Sequence, residues 1–133
     1  ISAVRIQSDR MLLAYGFLRN VFEVFERYKT PIDMITTSEV AVSLTVDDSS
    51  HLDQIETELR KIGAVEIERD QVIVCIVGEL LQDHHGGAAK VFESLKDIPL
   101  RMISYGGSKN NISLLVNNND KLKALQQLNS YVF

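Results

Sequence analysis

Three short stretches of this 133-residue sequence carry residue types that could do chemistry. Asp83-His84-His85, just before Gly86-Gly87, is the nearest thing to a metal motif. Adjacent histidines can ligate zinc, but a tetrahedral site needs two further ligands at suitable spacing. Cys75, inside the apolar run VIVCIV, is a poor third ligand, so the stretch reads as a solvated loop preceding a helix. Gly16-Phe17-Leu18 opens a long helical pattern. Backbone N–H groups at a helix start lack intrahelical partners and favour an anion such as a carboxylate, and Gly16 permits close approach. Asp33 follows the end of that helix, and Ser38-Glu39 sits in a tight connection between two strands. Each acid alone is an ordinary turn or surface carboxylate. Together, an anion-binding helix end and two carboxylates in one small unit fit a zwitterionic amino acid better than a nucleotide. The sequence contains no Gly-x-x-x-x-Gly-Lys phosphate loop, metalloprotease helix or Gly-x-Ser-x-Gly elbow, which argues against catalysis by this chain.

The elements that position these residues can be read from periodicity. Ser2–Gln7 is a short strand, and Phe17, Leu18, Val21, Phe22, Val24, Phe25 and Tyr28 form one helical stripe between Ala14 and Lys29. Pro31 ends that helix, because the residue before a proline is pushed from the α region. Ile32–Thr36 reads as extended, and Val40, Val42, Leu44 and Val46 alternate as a half-buried strand. Asp47-Asp48-Ser49-Ser50 supplies turn and N-cap chemistry. Leu52, Ile55, Leu59 and Ile62 mark a second helix with Gly63 as its stop, and Val65 and Ile67 mark a further strand. The same order then begins again. Val72–Val77 is a strand, Ala88–Leu95 a helix, Leu100–Ser104 extended, and Ile112–Val116 a strand, while Leu122, Leu125 and Leu128 mark a last helix.

The two passes match in detail. Val21-Phe22-Glu23 recurs as Val91-Phe92-Glu93, Pro31–Thr36 as Pro99–Ser104, and Ser43–Val46 as Ser113–Val116. This is an internal duplication, with the second copy having a shorter helix and a longer hairpin. The expected fold is α+β: two ferredoxin-like βαββαβ units in tandem, residues 1–69 and 70–133. The second lacks its last strand within this chain and borrows one from upstream of Ile1 or goes without. An initial Ile1 suggests a processed protein or an excised piece.

Composition narrows the function further. Apolar residues make up 45% and charged residues 24%, with 14 basic against 18 acidic and a net charge of −4. That excludes disorder, collagen-like repeats, a disulfide scaffold and a broad basic face for nucleic acid. No apolar run approaches the ~18 residues of a membrane span. Lys121-Leu122-Lys123 reads as a solvated helix face, and Cys75 as a lone buried thiol suited to a reducing, cytoplasmic compartment.

The stretch from Met11-Leu12 through Gly16-Phe17-Leu18 and Val21-Phe22 to Asp33–Asp47, above all Ile35-Thr36-Thr37-Ser38-Glu39-Val40, closely resembles the regulatory region of aspartokinases of the monofunctional, lysine-sensitive kind. Arg101–Ser108 looks like the matching segment of a second ACT domain, and Leu128–Phe133 is similar to that family's C-terminus. The resemblance implies tandem ACT domains that sense lysine as feedback inhibitor, and a homodimer. It also implies an upstream kinase domain using ATP and Mg, with no cofactor, metal, nucleic acid or membrane for this part. The positions it carries over as the effector site are Met11, Gly16, Phe17, Leu18, Ile32, Asp33, Thr37, Ser38 and Glu39, near a two-fold interface. The amides of Phe17 and Leu18 would hold the α-carboxylate, and Asp33 and Glu39 the two ammonium groups. Leu13, Ala14 and Pro31 depart from the lysine-sensitive pattern. In the second copy Gly87 stands for Phe17 and Arg101 for Asp33, so that copy is expected to shape the dimer and bind no amino acid. Rival expectations are an effector-free dimerisation module, a sensor of another amino acid such as threonine, and, more weakly, a small enzyme.

Overall fold

A computed structural model describes residues 1–8, 16–38, 41–78, 87–106 and 111–131 of the chain. These fall into two compact units, Ile1–Arg69 and Asp70–Phe133. The first runs β1 (Ser2–Gln7), α1 (Phe17–Arg27), β2 (Ile35–Thr37), β3 (Ala41–Val46), α2 (Leu52–Leu59) and β4 (Ala64–Glu68). Its sheet has the order β2-β3-β1-β4 with every neighbouring pair antiparallel. Alternation on the strands sends Val4, Ile6, Val42 and Leu44 into a core completed by Val21 and Phe25 of α1 and Ile55 and Leu59 of α2. Each such side chain contributes roughly 1.5–3 kcal/mol on burial.

The second unit repeats the plan: β5 (Gln71–Val77), α3 (Gly87–Ser94), β6 (Met102–Tyr105), β7 (Asn111–Asn117), a 3₁₀ turn over Asn118–Asp120 and α4 (Lys121–Tyr131). Its sheet is three-stranded, β5-β7-β6. β5 stands where β1 stands in the first unit, and among the described residues no strand flanks it as β4 flanks β1. Val74, Ile76, Ile112 and Leu114 meet Val91, Leu95, Ala124 and Leu128 in a separate core. The unit is therefore a βαββα version of the first, as the sequence order implies.

Several local expectations are corrected. Cys75 is exposed, not buried: strand alternation turns Val74 and Ile76 inward and Cys75 outward, with its Sγ 3.5 Å from Ser113 Oγ. α1 leaves its helical path at Lys29, whose φ is 50°, ahead of Pro31. Lys29 N–H bonds Glu26 O and Thr30 N–H bonds Phe25 O, closing the last turn. On the stripe of α1, Leu18 and Phe22 are exposed while Phe17, Val21, Val24 and Phe25 are buried. Asp48 forms a turn instead of a helix cap: the Ser50 hydroxyl and backbone N–H both donate to its Oδ1, holding the carboxyl below its ordinary range. His51 occupies the cap position. Gly63 is required by space and not by a left-handed turn, since a Cβ there would lie 2.7 Å from Gln7 O in β1. In α4 the packed residues are Ala124 and Leu128, whereas Leu122 and Leu125 face solvent. Ile32–Met34 precede the regular strand, which begins at Ile35.

Candidate ligand-binding site

The anion half of the expected site is built by Gly16. Its φ of 86° is left-handed, which only glycine adopts at little cost, and it turns the chain directly into α1. The first intrahelical bond runs from Asn20 N–H to Gly16 O at 2.9 Å. The N–H groups of Phe17, Leu18 and Arg19 thus have no intrahelical acceptor, Gly16 at the cap position has no side chain to offer them, and the first turn holds no acid. Phe17 anchors the turn in the core while Leu18 is exposed beside it. A Cβ at Gly16 would meet nothing within 4 Å, so the backbone angle, and not crowding, demands the glycine.

The cation half lies on the chain entering β2. Asp33 N–H donates to Thr45 O at 2.9 Å, and Met34 N–H donates to Thr45 Oγ1 at 2.9 Å. Thr45 N–H returns a bond to Met34 O at 3.0 Å. Two residues therefore oppose one, the arrangement of a β-bulge, which re-aims a side chain. Asp33 is exposed there, between half-buried Ile32 and buried Met34. Thr37 and Ser38 are exposed at the far end of β2, where Thr37 pairs with Val42 and Ser38 N–H bonds Ala41 O.

Register separates these positions. Thr45 lies opposite Ala3, near the start of β1, and Ala41 opposite Gln7, at its end. Asp33 and Ser38 are thus four strand steps apart, about 13 Å, more than a single amino acid spans. α1 is 11 residues long, roughly 16 Å, and the chain passes from its C-terminal end into Asp33. The structure places Gly16, Phe17 and Leu18 at the helix start, and Ile32 and Asp33 beyond the helix end. The expectation that the helix amides face Asp33 within one unit is corrected accordingly: one chain does not bring them together. Met11 and Glu39 lie outside the described residues, as do Leu13, Ala14 and Asp83-His84-His85. Among the described residues no group of three or more His, Cys, Asp or Glu could hold a metal.

The second unit repeats the bulge with different chemistry. Arg101 N–H donates to Leu115 O at 2.8 Å, so Arg101 occupies the place of Asp33, and Leu115 that of Thr45. Sequence reasoning identified the first exchange and missed the second. Its signal was available: Thr45 is the one polar residue in the buried run Leu44-Thr45-Val46, and Leu115 replaces it in the copy.

Comparison with known proteins agrees with this architecture. A family model described as an ACT domain matches residues 74–131. A structure of a C-terminal regulatory domain of aspartate kinase from Porphyromonas gingivalis W83 is 45% identical, covering 99% of this chain and 91% of that one, with a TM-score of 0.87. The structure of Escherichia coli aspartokinase III in complex with lysine and aspartate is 30% identical with a TM-score of 0.84, covering 99% of this chain and 31% of that one. The aspartokinase of Saccharomyces cerevisiae is 37% identical over an alignment of 133 positions that covers 95% of this chain. This chain spans 25% of that relative's length. In sequence and in fold alike, the chain belongs to the aspartokinase family and corresponds to its regulatory ACT-domain region.

Proposed function

We propose that the first unit binds lysine and thereby lowers the activity of an aspartate kinase domain on the same polypeptide, a cytoplasmic enzyme that would use ATP and Mg. The observation that carries this reading is internal: one bulge presents Asp33 in the first unit and Arg101 in the second. An arginine cannot hold an ammonium, so the two units cannot share a cationic ligand. The lysine complex of the E. coli relative supports the choice of effector. A ligand shifts an attached enzyme only through its different affinity for two states, and coupling of ~1–3 kcal/mol gives 5- to 150-fold inhibition.

Separation of the two half-sites supports a homodimer. β2 is an edge strand, and antiparallel pairing of two β2 strands about a two-fold axis would set Asp33 of one chain against Thr37, Ser38 and the start of α1 of the other. Exposed Leu18, Phe22 and Ile35 would be covered by such pairing. Phe17, Leu18, Thr37 and Ser38 would then hold the carboxylate end, Met11 and Ile32 would line the stem, and Asp33 and Glu39 would take the ammonium groups. Titration calorimetry against lysine, threonine and methionine tests the effector, and heat from threonine alone would reassign it. No heat from any of the three would favour an effector-free dimerisation module. Sedimentation tests assembly: a monomer at high micromolar concentration, with and without lysine, would refute the shared site.

A further inference from the structure

We propose that Thr45 is a positioning residue for the effector site, its hydroxyl fixing the bulge from which Asp33 projects; this rests on the lysine reading above. Thr45 is fully buried, and its Oγ1 accepts from Met34 N–H at 2.9 Å while its N–H and C=O bond Met34 and Asp33. Three hydrogen bonds thus tie two consecutive residues to one side of β3. A buried hydroxyl in the apolar run Leu44-Thr45-Val46 costs free energy unless it is bonded, and here its partner is the amide next to the carboxylate.

The second unit shows that the fold does not need this hydroxyl. Leu115 is equally buried at the same place, and Arg101 N–H still reaches its carbonyl at 2.8 Å. The strand there starts at Met102, in direct register with Leu115, whereas in the first unit it starts one place later, at Ile35. The Met34 N–H is diverted from a strand bond to the Thr45 side chain. Hydroxyl and carboxylate therefore occur in the same copy and are both replaced in the other. A bulge held at both amides restricts where Asp33 can point, which lowers the cost of ordering it against a ligand.

Thr45→Val keeps the shape and removes the acceptor, leaving the Met34 N–H unsatisfied. Lysine affinity of the 133-residue chain should fall between roughly five- and a hundredfold, and Thr45→Ser, which keeps the hydroxyl, should restore it to within about threefold. In an Asp33→Asn background, Thr45→Val should have little further effect, because positioning matters only while there is a charge to position. Circular dichroism confirms folding, and hydrogen exchange at the Met34 amide should quicken in Thr45→Val alone. Equal affinity of the unaltered chain and Thr45→Val, or an undiminished loss in the Asp33→Asn background, would overturn the assignment. If the unaltered chain binds no lysine, the effector reading fails with it; if that chain binds and Thr45→Val binds equally, only the role of Thr45 fails.

Discussion

The two units share a skeleton and differ where ligand chemistry would matter. Val42, Leu44 and Val46 in β3 are matched by Ile112, Leu114 and Val116 in β7, every one of them buried. Asp33 against Arg101 and Thr45 against Leu115 break the match, and both exchanges fall on one bulge. Core positions tolerate best the exchange of apolar residues of similar volume, and a buried hydroxyl such as that of Thr45 needs a bonded partner, whereas an exposed bulge position can reverse its charge with little effect on folding. Duplicated domains thus record in their cores what the fold requires, and in their differences what one copy does alone.

The largest expected effects are on stability and test whether the two cores are equivalent. Leu128→Ala should destabilise the second unit by about 2–5 kcal/mol, because Leu128 is 4% exposed. Leu122→Ala, at a side chain 71% exposed, should stay within about 0.5 kcal/mol, and thermal melting separates the two. A comparable loss at Leu122 would mean that this exposed face is covered in the intact protein.

Asp33→Asn follows, and bears directly on the contrast between the copies. A hydrogen bond to a charged group contributes about 1.5–3 kcal/mol, so lysine affinity should fall roughly 10- to 150-fold. Gly63→Ala should cost the first unit about 1–3 kcal/mol, since its Cβ meets the Gln7 carbonyl at 2.7 Å. Gly78→Ala, with nothing within 4 Å, should leave the melting temperature nearly unchanged. The smallest expected effect is the most diagnostic. Arg101→Asn should leave lysine affinity within about twofold, and if it abolishes binding while Asp33→Asn does not, the site is in the second unit.

Much of the molecule was legible in order and periodicity. The duplication, the strand–helix order and the three-stranded second sheet all follow from apolar spacing, because period two and period 3.6 are fixed by backbone geometry. Gly16 was readable as a helix start for the same local reason. Less legible were matters of facing. Cys75 sits in an apolar run, yet alternation on β5 turns it outward with Val77, since only the arrangement of the unit decides which strand face is covered. Leu122, Leu125 and Leu128 have helical spacing, but α4 packs through Ala124 and Leu128.

The residue types able to hold an amino acid, an uncapped helix start and a carboxylate, were set by the sequence alone, because their chemistry is local. Where those groups stand was decided by tertiary structure. Strand register puts Asp33 and Ser38 at opposite ends of β2, a separation that no spacing along the chain reveals. Pairing across β2 and β3 likewise brings Thr45 behind Asp33, although twelve positions separate them in the sequence. Periodicity reports which side chains share a face, whereas hydrogen-bond register between strands fixes which residues meet.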